Sequence, residues 1–180
     1  MRLTHQISYI LILLGLSLLM SCSGKNHRQV PDENISQYKD PLVNVNKTLV
    51  GIDDERISDY SKRQKLNLKV NDSGLWYRVL EKGKGPAVEK KKVVTIAYKV
   101  SLLDGKICYS SDSTGLKSFI VGQGGVENGL EIGILMLNEG GKAIFVMPPF
   151  LAHGLIGDEN KIPPRSIIRY DVEIIKITDY

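Results

Sequence analysis

Cysteine and histidine are scarce in this chain, with two cysteines and three histidines among 180 residues. Cys22 and Cys108 are too few for a disulfide framework, and Cys22 directly follows an apolar leader, so no bridge between them is expected. His5, His27 and His153 are too scattered for a metal site, and neither a metal nor a cofactor is expected. An excess of one charge is also lacking. Twenty-four lysines and arginines stand against 20 acids, a net charge of +4, which is too small and too mixed for a nucleic-acid face. The one long apolar run, residues 7–20, is shorter than a membrane-spanning helix usually needs. Gly122-x-Gly124 lacks both the last glycine of a dinucleotide loop and the Lys-Ser/Thr of a phosphate loop.

What is present begins with a signal. Residues 1–21 carry Arg2, the apolar run and a small Ser21 before Cys22. Leu19-Met20-Ser21-Cys22 resembles the lipobox of bacterial lipoproteins, which implies cleavage before Cys22 and its acylation as a membrane anchor. Residues 22–41 are polar, contain Pro31 and Pro41, and read as a flexible tether with a reach of roughly 25 Å. Residues 42–70 read as a helical arm. Leu42, Val45, Leu49 and Ile52 form one stripe, which either docks on the following domain or pairs two copies as a homodimer. Gly51 is a candidate break, and Asp53 a candidate cap for a second helix, with Asp54 and Glu55 against its positive end.

Asn71-Asp72-Ser73-Gly74 is turn chemistry, and a folded domain over residues 71–180 is expected from there. Strands are predicted over 75–81, 93–102, 106–111, 118–121, 142–147 and the last stretch from residue 168. Val94, Ile96, Tyr98 and Val100 alternate inward on one strand; Ile168, Tyr170, Val172 and Ile174 do so on the last. Ala143, Phe145 and Met147 are predicted to be the buried set between them. From Leu130 to Leu137 only Glu131 and Gly133 interrupt the apolar residues, so this helix must be covered on most sides. Gly129 and Gly133 each cost roughly 1 kcal/mol against alanine in a helix, so something close needs their missing Cβ atoms. The segment is either a buried core helix or the floor of a binding site. The fold class is α+β, with a curved antiparallel sheet wrapped around one short apolar helix and a helical arm before it.

Gly83-x-Gly85, Tyr98, Leu103-Asp104-Gly105-Lys106, Ser110-Ser111, Phe119-x-Val121-Gly122, Val126-x-x-Gly129-Leu130-x-x-Gly133, Gly140-x-Lys142-Ala143, Ile162-Pro163-Pro164 and Tyr170-Asp171-Val172-Glu173 follow in order. This series resembles the FKBP-type peptidyl-prolyl isomerases over about residues 75–177. With the lipobox and the charged helix, it looks like the gliding-motility-associated lipoproteins within that family. The resemblance implies an apolar proline pocket built from Tyr98, Phe119, Val126, Glu127, Leu130, His153, Ile162 and Tyr170. Donors are expected from the Glu127 amide and the tyrosine hydroxyls, with the Glu127 side chain a solvated charge on the rim.

Four residues depart from the family pattern. Cys108-Tyr109 stands where a Phe-Asp pair is usual, Leu130 where tryptophan is common, and His153 where a tyrosine contacts the ligand. Cys108 reads as a small wall residue rather than a reactive thiol. Lys90-Lys91-Lys92 reads as a solvated strand entrance, with attraction to an anionic membrane as its alternative. The implied activity is Xaa-Pro isomerisation in envelope or secreted proteins, at a membrane of the bacterial cell envelope and facing the periplasm. The alternative is a weakly active chaperone or assembly factor that holds proline-containing segments for a surface machine used in gliding or secretion.

Overall fold

The computed structural model describes residues 32–180, with side chains from residue 41 onward; the expected signal, Cys22 and the start of the tether lie outside the described residues. The chain divides into two compact units, 1–42 and 43–180. Of the first, the described part is helical backbone.

A single helix, α1, spans Asp32–Arg63. It overturns the expectation of a tether reaching residue 41 and of two helices parted at Gly51. Its later turns are pinned to the domain, and extending an existing helix backwards is far easier than nucleating a new one. A glycine with nothing packed against it costs only about 1 kcal/mol in such a helix, too little to break it. The predicted stripe does not dock: Leu42, Val45 and Ile52 are 62%, 54% and 46% exposed. Asp53, Ile57, Tyr60 and Ser61, one to two turns later, are the residues buried on the domain.

Seven strands form one antiparallel sheet: β1 (Lys69–Val70), β2 (Trp76–Glu81), β3 (Val93–Leu102), β4 (Ile107–Ser110), β5 (Lys117–Ile120), β6 (Lys142–Met147) and β7 (Ile168–Thr178). The spatial order is β1-β2-β6-β7-β3-β4, with β5 also paired to β3. The sheet therefore starts at Lys69, two residues before the expected domain boundary. Two short α-helices, α2 (Ser111–Thr114), of which only Ser111 was expected in a strand, and α3 (Asn128–Ile134), complete the domain with a 3-10 turn at Pro149–Leu151. Register shifts interrupt the pairing of β3 with β4 and β7, and of β2 with β6, the irregularities at which strands bend and twist more strongly.

The inward alternations on β3 and β7 are as the pattern predicts: Val94, Ile96, Tyr98, Val100, Ile168, Tyr170, Val172 and Ile174 share one core cluster with Leu130 and Ile134. On β6, however, burial does not alternate. Ile144 and Val146 are buried as well, under Ile57 and Tyr60 of α1 together with Ile167. The arm covers this part of the outer face, so a strand expected to be half in water is sandwiched on both sides. Further bonds hold it there: Trp76 Nε1 donates to Asp54 Oδ1 at 3.0 Å, and Arg169 Nη1 to the Tyr60 hydroxyl at 3.2 Å.

The two helix glycines have a plain cause. A Cβ on Gly133 would lie 2.6 Å from Phe145 Cζ, and one on Gly129 would lie 2.7 Å from Met147 Sδ. The two side chains of β6 thus rest directly on the backbone of α3. Leu135, predicted to be covered, is 41% exposed because the helix has already ended. Gly133→Ala is expected to lose about 1–2 kcal/mol of stability, overpacking against the Phe145 ring outweighing the gain in helix propensity. Urea unfolding measures it; a stabilised variant would show that the ring yields freely.

Candidate functional site

The site is built around the N-terminus of α3. Glu127 is its N-cap residue, yet its side chain makes no capping bond. The carboxylate turns instead into the domain, where it is 10% exposed. There the Tyr170 hydroxyl donates to both of its oxygens, at 3.2 and 3.3 Å, and His153 Nε2 lies 3.1 Å from Oε1. A carboxylate can only accept, so Nε2 of His153 carries the proton. Glu127 is thus a buried bridge between the helix, β7 and the loop after β6, and the expected solvated rim charge is corrected. The reason is local: Tyr170 is buried on an inward position of β7, and its hydroxyl needs an acceptor. Burial, and then the neighbouring Glu127 charge, push that hydroxyl far above the ordinary phenol range, so it remains a neutral donor.

Tyr98 and Phe119 form the opposite wall, each 9% exposed. The Tyr98 ring is tilted 32° against Tyr170 with centroids 6.0 Å apart, and Lys117 Nζ sits 5.3 Å over its face. Its hydroxyl is 2.9 Å from Thr114 Oγ1, which already donates to the Ser110 carbonyl, so Tyr98 is the donor. Leu130 and Ile162 are buried in the same cluster, and Val126 packs against it. Of the eight residues singled out in the sequence, six belong to or pack against this one core cluster; Glu127 joins it through Tyr170, and His153 through Glu127. Both tyrosine hydroxyls are engaged within the protein. The Glu127 amide, by contrast, donates to no protein acceptor among the described residues. An open cleft of about 340 Å³ adjoins it, lined by Lys117, Gly125, Val126, Glu127, Ala152 and His153. A larger hollow of about 570 Å³ beside Gly83 and Gly85 contains none of the eight residues and has no aromatic wall.

The Cys108-Tyr109 departure is compensated from the loop between β6 and β7. Tyr109 donates its hydroxyl to Asp158, and Lys161 Nζ lies 5.1 Å over its ring. Cys108 is buried, its thiol 3.5 Å from the Lys161 carbonyl, and burial pushes its pKa up, which suits a wall residue rather than a reactive thiolate. Asp158, Thr114 and Lys117 were not singled out in the sequence. Asp158 also accepts from the amides of Ile162, at 2.7 Å, and Asn160, at 3.0 Å, and so closes the loop on which Ile162 sits. The only sequence signal for this was its place four residues before Ile162, the spacing of a side-chain-closed turn.

The sequence pattern described as FKBP-type peptidyl-prolyl cis-trans isomerase matches residues 85–175. The chain belongs to this family. It is 35% identical over 111 residues to a protein of Neisseria meningitidis named as a probable FKBP-type peptidyl-prolyl cis-trans isomerase FkpA, a match covering 61% of this chain and 40% of that one. The chain thus spans about 40% of the length of the FkpA relatives it matches in Neisseria meningitidis and Escherichia coli. Among solved structures, the fold resembles AtFKBP13 at a TM-score of 0.59 and 31% identity, covering 62% of this chain and 99% of that one. It also resembles FkpA from Escherichia coli at a TM-score of 0.60 and 27% identity, over 95% of this chain and 82% of the other.

Asp158 makes part of this site sensitive to acid. Burial pushes its carboxyl up, but the Tyr109 hydroxyl, the Ile162 and Asn160 amides and the nearby His153 together outweigh burial and hold it down at about 2. A depressed folded-state value contributes stability above the unfolded value of about 3.9, and that contribution is lost as pH falls from there through 2. The Ile162 and Asn160 amides should therefore move in NMR spectra between about pH 4 and 2, and Asp158→Asn should abolish the transition. A wild-type transition centred at or above pH 4 would contradict this.

Proposed function

We propose that this chain is a peptidyl-prolyl cis-trans isomerase acting on exported or envelope proteins. The observation that carries the reading is the Glu127 amide, which donates to no protein acceptor among the described residues and faces an open cleft beside the buried aromatic cluster, in a chain of this family. The barrier to rotation about an Xaa-Pro bond, about 18–20 kcal/mol, comes from amide resonance, so the reaction needs no nucleophile or proton transfer. A proline ring seated between Tyr98, Phe119, Leu130, Ile162 and Tyr170 leaves water behind, and the imide loses the hydration that favours its planar, polar form. The twisted transition state then accepts from the Glu127 N–H. The tyrosines act by shape and by excluding water, since their protons are held by Thr114 and Glu127. Glu127 and His153 hold Tyr170 and the loop after β6 in place around the ring.

A second reading has one observation in its favour. Leu155 and Ile156, two residues beyond His153, are 72% and 70% exposed. An apolar rim next to the pocket suits a protein that holds unfolded or proline-containing segments with little turnover, as a chaperone or as an assembly factor of a gliding or secretion machine. Cis/trans exchange of a short Xaa-Pro peptide, measured by NMR with catalytic amounts of protein, decides between the two. Isomerase function predicts faster exchange with the wild type and a loss of roughly tenfold or more with Tyr98→Ala or Leu130→Ala. Binding without any change in exchange rate would remove the isomerase reading and leave the second.

The location and assembly follow from the N-terminal region. A signal and lipobox ending at Cys22 support a lipid-anchored envelope protein of the gliding-associated kind facing the periplasm, and the uncovered stripe of α1 supports pairing of two arms. Among the described residues, no helix is long and apolar enough to cross a membrane. Cys22→Ser should move the protein to the soluble fraction, where sedimentation velocity should give a dimer. Continued membrane retention would overturn the anchor, and a monomer would overturn the pairing.

A further inference from the structure

Asp53 lies on the face of α1 that meets the domain, with only 4% of its side chain exposed. Its Oδ2 accepts from Arg165 Nη2 at 2.8 Å. Its Oδ1 has no hydrogen-bond partner, and the next cation, Arg56 Nη1, is 4.0 Å away. A buried carboxylate in this setting depends on its single close cation, and removing that cation leaves an uncompensated charge. The position of that cation in the fold is what matters. Arg165 directly follows Ile162-Pro163-Pro164, and its backbone is held in the left-handed region at φ 54. Its N–H donates to the Gly154 carbonyl at 3.1 Å, next to His153. One residue therefore ties together the arm, the His153-Gly154 end of the loop and its Ile162 end.

That loop has no strand of its own to fix it. It crosses two left-handed glycines, Gly154 and Gly157, and closes on itself through the Asp158 amide to the Ile162 carbonyl at 3.1 Å. Side-chain bonds pin it from three other elements: Glu127 at the start of α3, Cys108 and Tyr109 from β4, and Asp53 from α1. The β4 bonds hold its middle, at Asp158 and Lys161. The pair with Asp53 holds its C-terminal root and, through the Arg165 amide, the stretch beside His153.

We propose that Asp53 is a positioning residue for the proline pocket: through Arg165, the arm helix sets the place of the Ile162 and His153 walls. The arm is then part of the catalytic unit as well as a spacer. This rests on the isomerase reading. Its rival is that the ion pair merely fastens the helix to the domain, and the molecule contains the matching control. Asp54, the next residue, accepts a bond of 3.0 Å from Trp76 on β2, which carries none of the pocket residues.

The test uses the whole chain in the soluble Cys22→Ser background, with peptide exchange by NMR and hydrogen exchange of the amides of residues 153–165. Asp53→Asn and Arg165→Gln are each expected to lower kcat/KM by about tenfold to a hundredfold, the range a displaced wall produces. The double variant should be no worse than either single one, because both act through one contact. Both should speed exchange of the loop amides, and Arg165→Lys should recover most of the loss. Asp54→Asn should leave kcat/KM within about twofold of the parent whatever it does to stability. Should Asp53→Asn fail to fold, Arg165→Gln at its partly exposed site carries the comparison. Parent-like kcat/KM and loop exchange in Arg165→Gln, or an equal loss in Asp54→Asn, would overturn the proposal. If the parent itself does not speed peptide exchange, the isomerase reading fails, and the loop amides still report whether Asp53 holds the loop.

Discussion

Helix α3 is seated on β6 at two positions that carry no side chain, and the pocket depends on that contact. With Phe145 and Met147 resting on Gly133 and Gly129, the helix axis comes closer to the sheet than any pair of larger residues would allow. Leu130 is thereby fully buried in the cluster that holds Tyr98 and Tyr170. The same approach fixes Glu127, because the N-cap residue goes wherever the first turn goes. Glycine in a helix is unfavourable by about 1 kcal/mol each, so the helix gives up local stability for depth. The surrounding core offsets the cost: Leu130, Ile134 and Leu137 are all fully buried against the bent sheet.

A charged side chain turned into an apolar pocket is the second constraint. The position of Glu127 could have served as an ordinary cap, worth about 1 kcal/mol to the helix. By leaving that role, the carboxylate satisfies the buried Tyr170 hydroxyl and holds His153, linking the start of α3 to β7 and to the loop that precedes it. The consequence for chemistry is a division of labour within one residue. The side chain holds walls together, and the unpaired amide is left to meet substrate. An apolar residue at this position would leave the Tyr170 hydroxyl buried without an acceptor, which carries a desolvation cost of about 1–3 kcal/mol.

How far the sequence was legible follows from what kind of signal each feature leaves. Period-two burial on β3 and β7 is a local pattern and reads directly, as do the two glycines that demand a close neighbour. On β6, Ile144 and Val146 defeat the alternation because their cover comes from α1, some 80 residues earlier, and no local window contains that information. The stripe at Leu42, Val45 and Ile52 is visible in the sequence, but periodicity does not say which face meets the domain; Asp53 and Tyr60 bond Arg165 and Arg169, and Ile57 packs with Ile144 and Val146. The family resemblance assembles the eight pocket positions. It is silent on the Glu127 side chain, whose inward turn depends on a tyrosine 43 residues away.

The departure at Cys108-Tyr109 shows why residue-by-residue comparison understates a pocket. Taken alone, it removes a wall aromatic and a carboxylate from the site. In three dimensions Tyr109 supplies an aromatic ring from the neighbouring position, and Asp158 supplies a carboxylate from the facing loop. The carboxylate has moved from the sheet to the loop, and with it the burden of keeping the loop closed. A pocket wall that belonged to a rigid strand now depends on a segment rooted at Tyr109, Cys108 and Arg165. That shift gives the arm a lever on the site, because a loop carrying its own closing charge is only as fixed as the elements it is tied to.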